Sequence, residues 1–306
     1  MSKSALTKKE LNLFITLAKK ILWSPPETRN EIQKNGINIT PANFYSDIPL
    51  IEDIKNSFEF RTSSEIYNNG IFNKKSIQKF IDALSVYSNE FNPPIDGDKE
   101  NPSDFFWKNP YFSYSDAMAY YCVIRHFKPK KIVEIGSGFS TLVADKAIKK
   151  NGHGEIVIIE PYPMKILSKL ETVKKIENKF VQDIKISKLI NLVESANIWF
   201  IDSTHTVKNG SDCLYIYLKA MPEIKTNLIV HSHDIFLPYP LPKEWATNLH
   251  IYWTEQYLLY SYLLKNQDAN VLYGSNYASK KLKKGNDLFM NKKYAGGGGS
   301  LWYELN

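Results

Sequence analysis

From Lys130 onward, short β-rich apolar runs alternate with helix-like runs, and this alternation limits the available folds more than any other feature of the chain. KIVEIG reads as a strand and STLVADKAIKK as a helix. GEIVIIEP and MKILSKLETVKKI repeat the pair, as do KFVQDI and ISKLINLV, ANIWFIDS and SDCLYIYLKAMPEI, and NLIVHSHD and YWTEQYLLYSYLLKN. Strands that alternate with helices imply a parallel sheet covered on both faces. Two further strands follow, ANVLYGS and SLWYEL. No helix long enough for a parallel crossover is expected between them, so they should pair antiparallel. The expected fold class is α/β, a doubly wound and mostly parallel sheet. AGGGG before the last strand is expected to be a flexible turn native to the chain.

Residues before about 112 depart from this rhythm. Helix-like stretches, Lys8 to Trp23 and Lys74 to Tyr87, are separated by Pro- and Asn-rich loops such as SPPETRN and NPPIDGDKENPSD. The sequence therefore divides into an N-terminal helical and loop extension, 1–112, and an α/β domain, 113–306. The aromatic-rich NFYSDIP and DFFWKNPYFSY suggest that the extension covers the acceptor side of a site or makes a dimer contact.

Charge and cysteine content exclude several classes. The formal net charge is +7, but the lysines are scattered and match no nucleic-acid module. The densest group, Ser279 to Lys293, reads as a solvated face. No apolar run reaches the roughly 18 residues of a membrane span. The first helix places Leu11, Ile15, Ala18 and Leu22 on one face, which suits packing on the protein or a peripheral membrane contact. Cys122 and Cys213 lie in apolar runs and read as buried thiols, in keeping with a reducing, cytoplasmic location.

Gly136-Ser137-Gly138 ends the first strand of the regular region. Ligands of open parallel sheets bind outside the carboxyl ends of the strands, and glycine lets a ligand approach the backbone closely. Ser140 or Thr141 can cap the helix that follows. Glu160 ends the second strand, where a carboxylate can accept hydrogen bonds from two ribose hydroxyls. That would suit NAD and S-adenosylmethionine alike. The dinucleotide fingerprint wants a third glycine where Thr141 stands, so the loop favours a cofactor without phosphates. Glu134 could meet the cofactor's amino group, and Asp183 would lie near an adenine or cap a helix.

VEIGSGFST, IIEPYP, FVQDI, WFIDSTH and LIVHSHDIF, in that order, resemble class I S-adenosylmethionine-dependent methyltransferases. They are most similar to a bacterial subgroup often found beside sugar and cell-surface glycan genes. The resemblance covers roughly Asn109 to Leu305. It implies a Rossmann-like, seven-stranded sheet with an antiparallel last strand. Glu134, Gly136, Gly138 and Ser140 would then lie at the methionine part of the cofactor, Glu160 at its ribose and Asp183 near its adenine.

Asp202, His205, His231, His233 and Asp234 follow or end two adjacent strands, so they should gather at one rim. If the acceptor is a hydroxyl, its proton must be taken, and histidine suits that task near neutral pH. His205 or His233 is the expected base, with Asp202 orienting it. Alternatively Asp202, His233 and Asp234 hold a divalent ion such as Mg²⁺ or Mn²⁺ that lowers the hydroxyl's pKa. His231, on the strand itself, reads as structural. The sequence thus points to methyl transfer onto a hydroxyl of a sugar, glycan or related metabolite. An NAD(P)-dependent oxidoreductase and a non-catalytic scaffold are the alternatives. A homo-oligomer is compatible with all three.

Overall fold

The computed structural model of the chain describes residues 6–61, 64–112, 114–294 and 296–306. Seven strands form one sheet: β1 Lys131–Ile135, β2 Glu155–Ile159, β3 Val173–Glu177, β4 Ile198–Ile201, β5 Leu228–Ser232, β6 Ala269–Gly274 and β7 Leu301–Leu305. Their order is β3-β2-β1-β4-β5-β7-β6. The first five run parallel, and β7 lies antiparallel between β5 and β6. β4 is buried along its whole length, and β1 and β2 are buried after their first residue, as strands covered on both faces must be.

One expected element is displaced. Residues 165–176 carry a helix-like apolar spacing, yet only Lys165–Lys169 turn as a 3₁₀ helix, and β3 occupies Val173–Glu177. As the outermost strand, β3 buries little and keeps its lysines in solvent, so it lacks the apolar density that marks the inner strands. FVQDI, expected as the third strand, is instead a 3₁₀ turn over Val181–Asp183 just beyond it. The lysine-rich stretch after β6 holds two short helices, Ser275–Lys281 and Lys283–Phe289, and Gly285, Asn286 and Phe289 are buried there.

The hydrophobic core runs across position 112 without a break. Ile77, Ile81 and Leu84 of helix Lys74–Ser88, with Phe91, Phe105, Trp107 and Phe112, belong to the same buried cluster as the strands. Phe91 stacks on Tyr121 of helix Tyr114–Phe127 at 4.6 Å between ring centroids. The first helix, Lys8–Ile21, is different: it has a complete capping box at Thr7 and Glu10 but no buried residue. No helix among the described residues is long and apolar enough to cross a membrane. Both cysteines are buried free thiols.

Strand order reverses between β1 and β4, and a crevice opens there beyond the carboxyl ends. Backbone bonds tie the ends in steps. Gly136 N donates to Ile159 O at 3.0 Å, Asp202 N to Ile135 O at 2.8 Å and His233 N to Ile201 O at 2.9 Å. The loops after β1, β2, β4 and β5 are thereby held at one level.

Candidate active site

The crevice is a cleft of ≈ 290 Å³ whose lining includes Gly136, Glu160, Tyr162, Phe180, Gln182 and Asp202. Gly136 has to be glycine for two reasons. Its φ is +83°, and an added Cβ would stand 1.9 Å from the carbonyl oxygen of Asp202. Gly138 is open by contrast, since a Cβ there would meet only Met164 Sδ at 3.8 Å. Glu160 borders the cleft, with Oε1 accepting from Tyr162 N at 2.8 Å. Tyr162 and Phe180 face each other edge-on across 6.0 Å.

Three cofactor expectations need adjustment. Glu134 is fully buried. Its Oε1 accepts from Tyr120 Oη at 2.7 Å and its Oε2 from Thr141 Oγ1 at 2.6 Å. Thr141 Oγ1 in turn accepts from Gly138 N at 3.2 Å. Glu134 is thus a strut beneath the glycine loop, and touching a ligand would require giving up one of these bonds. Burial lifts its carboxyl to about 7 despite both hydrogen bonds. Asp183 is exposed and outside the cleft, because the 3₁₀ turn directs its neighbour Gln182 inward. Ser140 is buried in the first turn of helix Phe139–Asn151, outside the cleft lining.

The cleft also shows what the sequence reading missed. Gln182 Oε1 in its lining, and Ser137 Oγ in the glycine loop next to Gly136, are buried polar atoms without a hydrogen-bond partner among the described residues. Such atoms are costly unless a ligand or water satisfies them. A ligand with an amino group and hydroxyls, flat enough to lie by Tyr162 and Phe180, fits this set. That describes a nucleoside-bearing cofactor such as S-adenosylmethionine. Tyr162 belonged to a motif already noted, but its ring role carried no local signal.

On the other side of Asp202 the two strand ends bring the expected rim together. Nε2 of His205 lies 3.2 Å from Asp202 Oδ1 and 3.5 Å from Asp234 Oδ2. Nδ1 of His233 lies 3.4 Å from the same Asp202 oxygen and 3.5 Å from the same Asp234 oxygen. Two more carboxylates stand behind the imidazoles. Glu255 Oε2 is 2.8 Å from His205 Nδ1, and Asp116 Oδ2 is 3.7 Å from His233 Nε2. Neither was expected in this role. Asp116 sits in the first turn of a helix, where an acidic residue is ordinary.

Long-range contacts fix each member. Glu255 Oε1 accepts from Tyr217 Oη at 2.5 Å, and Tyr217 lies in a π-helical stretch, Tyr215–Ala220. Asp116 accepts from Ser275 Oγ at 2.6 Å and from the backbone of Gly299 and Ser300. The glycine run is therefore no slack linker: a Cβ at Gly298 would lie 2.3 Å from Asp116 Oδ2, and one at Gly299 would lie 2.7 Å from Asp234 Cα. Thr254 N and Glu255 N both donate to His205 O, which pins the loop after β4 to helix Glu255–Leu263. His231 stands apart, buried on β5 with Nε2 on Ser300 Oγ at 2.8 Å, and burial holds it neutral.

With four carboxylates around them, both rim imidazoles bind protons tightly. Burial pulls His205 down, but Asp202 and Glu255 outweigh it and push it up to about 10. His233 is likewise raised, against burial, by Asp234, Asp202 and Asp116. Burial raises Asp202 too, yet the two imidazoliums hold it well below the usual carboxylate range. A second cavity of ≈ 270 Å³ lies beyond Trp253, whose ring packs on His205 at 4.4 Å. Phe60, Tyr252, Trp253 and Tyr257 line it with Asp47, Asp53 and Glu59. Its lining draws on both the N-terminal extension and the segment after β5.

Residues 133–235 match a family model described as a methyltransferase domain. An uncharacterised protein of Archaeoglobus fulgidus is 36% identical over 129 residues, which is 40% of this chain and 58% of that protein. The chain thus spans little more than half the length of that relative. Among solved structures, the SAH-bound Podospora anserina methyltransferase PaMTH1 aligns with 77% of this chain and 97% of its own, at 16% identity and a TM-score of 0.39. The SAH complex of the plantazolicin methyltransferase BpumL aligns over 92% and 98%, at 11% identity and a TM-score of 0.39. The residues that match the methyltransferase-domain model run from within β1 through β5 and include the glycine loop and the rim residues Asp202, His205, His233 and Asp234.

Proposed function

We propose that this protein transfers a methyl group from S-adenosylmethionine to a hydroxyl of a small polyhydroxylated acceptor of the sugar type. One observation carries the reading: Asp202 lines the cofactor cleft with one part of its surface and faces His205 and His233 with another. An acceptor held at the rim is therefore next to the cofactor's end of the cleft. Gly136, Glu160 and Gln182 bind the cofactor in this reading, with Gly138 leaving room for it.

S-adenosylmethionine brings a methyl group already activated by its sulfonium, so the chain's own task is to orient the acceptor and take its proton. The cavity beyond Trp253 supports a sugar-like acceptor. Aromatic faces suit C–H surfaces, and Asp47, Asp53 and Glu59 can accept hydroxyl hydrogens. Trp253 lines this cavity and packs its ring on His205 at 4.4 Å.

The expected base was His205 or His233, oriented by Asp202. Without an ion, the carboxylates around both imidazoles favour their charged form over a free base. A divalent ion at Asp202, His233 and Asp234 is the better-supported activator, because their ligand atoms lie within 4.8 Å of one another. Bound there, it would lower the pKa of an acceptor hydroxyl. The chain's share is to hold the ion and aim the hydroxyl at the cleft.

Calorimetry with S-adenosylhomocysteine and NADH tests the cofactor, and mass spectrometry of sugar extracts supplied with isotopically labelled S-adenosylmethionine tests the acceptor. Binding of NADH alone, or label only in non-hydroxylated products, would overturn the proposal.

A further inference from the structure

We propose that the acceptor carries an anionic group of the phosphate type, bound by Lys243 and Lys280 in a basic cleft that adjoins the acceptor cavity. The assignment rests on the reading above for the acceptor's hydroxyl, whereas the charge of the cleft stands without it.

The cleft is a hollow of ≈ 460 Å³. Glu59, Phe60, Leu241 and Pro242 line both it and the cavity beyond Trp253, so the two spaces share a wall. Lys243, Lys280 and Lys281 line the hollow but not that cavity. Contacts therefore run in series from the cofactor side: Asp202 to His205, His205 to Trp253, Trp253 to the acceptor cavity, and that cavity to the lysines. A ligand extended along this series presents one end to the rim and the other to the ammonium groups.

Two of the three lysines lack a counter-charge. Lys281 is neutralised, with Nζ 2.5 Å from Glu65 Oε1. Lys243 and Lys280 form no ion pair among the described residues. Each is held on an aromatic face instead: Lys280 Nζ lies 3.8 Å from the ring centroid of Tyr239, and Lys243 Nζ lies 5.4 Å from that of Phe60. A ring attracts the charge and fixes the side chain. It leaves the three N–H donors of an ammonium to other acceptors, and Lys243 spends one on Lys55 O at 3.5 Å. Burial pulls Lys280 below its ordinary pKa, with no carboxylate nearby to offset it. A partly dehydrated ammonium without a partner is stabilised by an anion that enters beside it. Glu59, the acid on the shared wall, is already engaged, because its Oε1 accepts from Tyr67 Oη at 2.6 Å and Tyr257 Oη at 2.8 Å.

Lysine is a compact point charge and a common phosphate binder. Two of them on separate helices, Lys243–Asn248 and Ser275–Lys281, suit an anion with several oxygens. The acceptor class is therefore a sugar phosphate or sugar diphosphate. Lys280 belongs to the lysine-rich stretch, which on this account is more than a solvated face.

The test titrates the full chain calorimetrically with pyrophosphate and, separately, with malonate. One equivalent of pyrophosphate should bind, at least tenfold more tightly than malonate. Lys243→Met and Lys280→Met keep an apolar stem on each ring and remove the charge, and each should weaken pyrophosphate binding at least tenfold. Lys284→Met, in the same stretch but outside the cleft lining, should leave it unchanged. Equal S-adenosylhomocysteine affinity in all three variants shows that they are folded. No pyrophosphate binding, or binding that the Lys243 and Lys280 variants retain, would overturn the cleft, and malonate bound as tightly would overturn the phosphate assignment. Products labelled from S-adenosylmethionine in sugar extracts should be retained on an anion exchanger until treated with phosphodiesterase and phosphatase. Label only in neutral sugars would defeat this inference and leave the proposed function standing. Lysine-dependent pyrophosphate binding without methyl transfer to any hydroxyl would leave the cleft standing and defeat the proposed function.

Discussion

Replacing Gly136 and Gly138 separately by alanine should give different phenotypes, although only Ser137 separates the two glycines. At Gly136 the new Cβ would stand 1.9 Å from Asp202 O, where real Cβ contacts stay beyond 3.0 Å, so the chain must move by more than an ångström. The backbone at φ +83° adds about 1–2 kcal/mol for a residue with a Cβ. The 2.8 Å bond from Asp202 N to Ile135 O would be strained or lost, for about 1 kcal/mol more. A destabilisation of roughly 2–4 kcal/mol follows, a large part of a typical folding free energy. At Gly138 the Cβ meets only Met164 Sδ at 3.8 Å, so the cost of alanine there is the backbone strain alone, about 1–2 kcal/mol at φ +158°, while the cofactor's space is narrowed. Urea unfolding and calorimetry with S-adenosylhomocysteine separate the two effects. Gly136→Ala should unfold at markedly lower urea, whereas Gly138→Ala should lose less of its midpoint but bind at least tenfold more weakly. A Gly136→Ala protein with an unchanged midpoint would refute the account of how the β1 loop and β4 fit together.

Glu160→Ala should weaken S-adenosylhomocysteine binding at least tenfold in a folded protein, since each lost charge-assisted hydrogen bond is worth about 1.5–3 kcal/mol; calorimetry that finds equal affinity would place the ribose elsewhere. Glu134 should make stability pH-dependent. Folding raises its pKa from 4.5 to about 7, so its contribution is fully present below about 4.5 and is lost as pH rises through 7. The gap corresponds to roughly 3 kcal/mol, and Glu134→Gln should flatten the difference in urea midpoint between pH 5 and pH 8. A single proteolytic cut near Asp98 should leave the two pieces associated on native size-exclusion chromatography, because helix Lys74–Ser88 shares the core of the sheet. Separate elution would make the first hundred residues an independent unit.

The parts of the fold legible in the sequence are those dictated by local pattern. The inner strands announce themselves because burial on both faces demands continuous apolar runs, and the antiparallel last pair followed from connection length. β3 was misplaced because an edge strand with exposed lysines carries no such run. The rim of Asp202, His205, His233 and Asp234 could be placed because parallel strands present their ends together. Its outer partners could not. Asp116 and Glu255 reach the rim from 86 and 53 residues away from Asp202, along helices whose sequence says nothing of that contact. Glu134 and Asp183 were assigned by position at strand ends, but side-chain direction decides ligand contact. Tyr120 and Thr141 capture Glu134, and one turn of 3₁₀ geometry exchanges Asp183 for Gln182.

The central place of β7 bears on how the molecule is made. It follows every other strand in the chain, yet it is inserted between β5 and β6. Until residues 301–305 leave the ribosome, both neighbours expose an unpaired edge, and such edges invite pairing with other chains. The glycines that steady Asp116 and abut Asp234 arrive just ahead of β7. The sheet and the rim are therefore completed together, and a chain cut short before residue 296 would have an open sheet and an unassembled site.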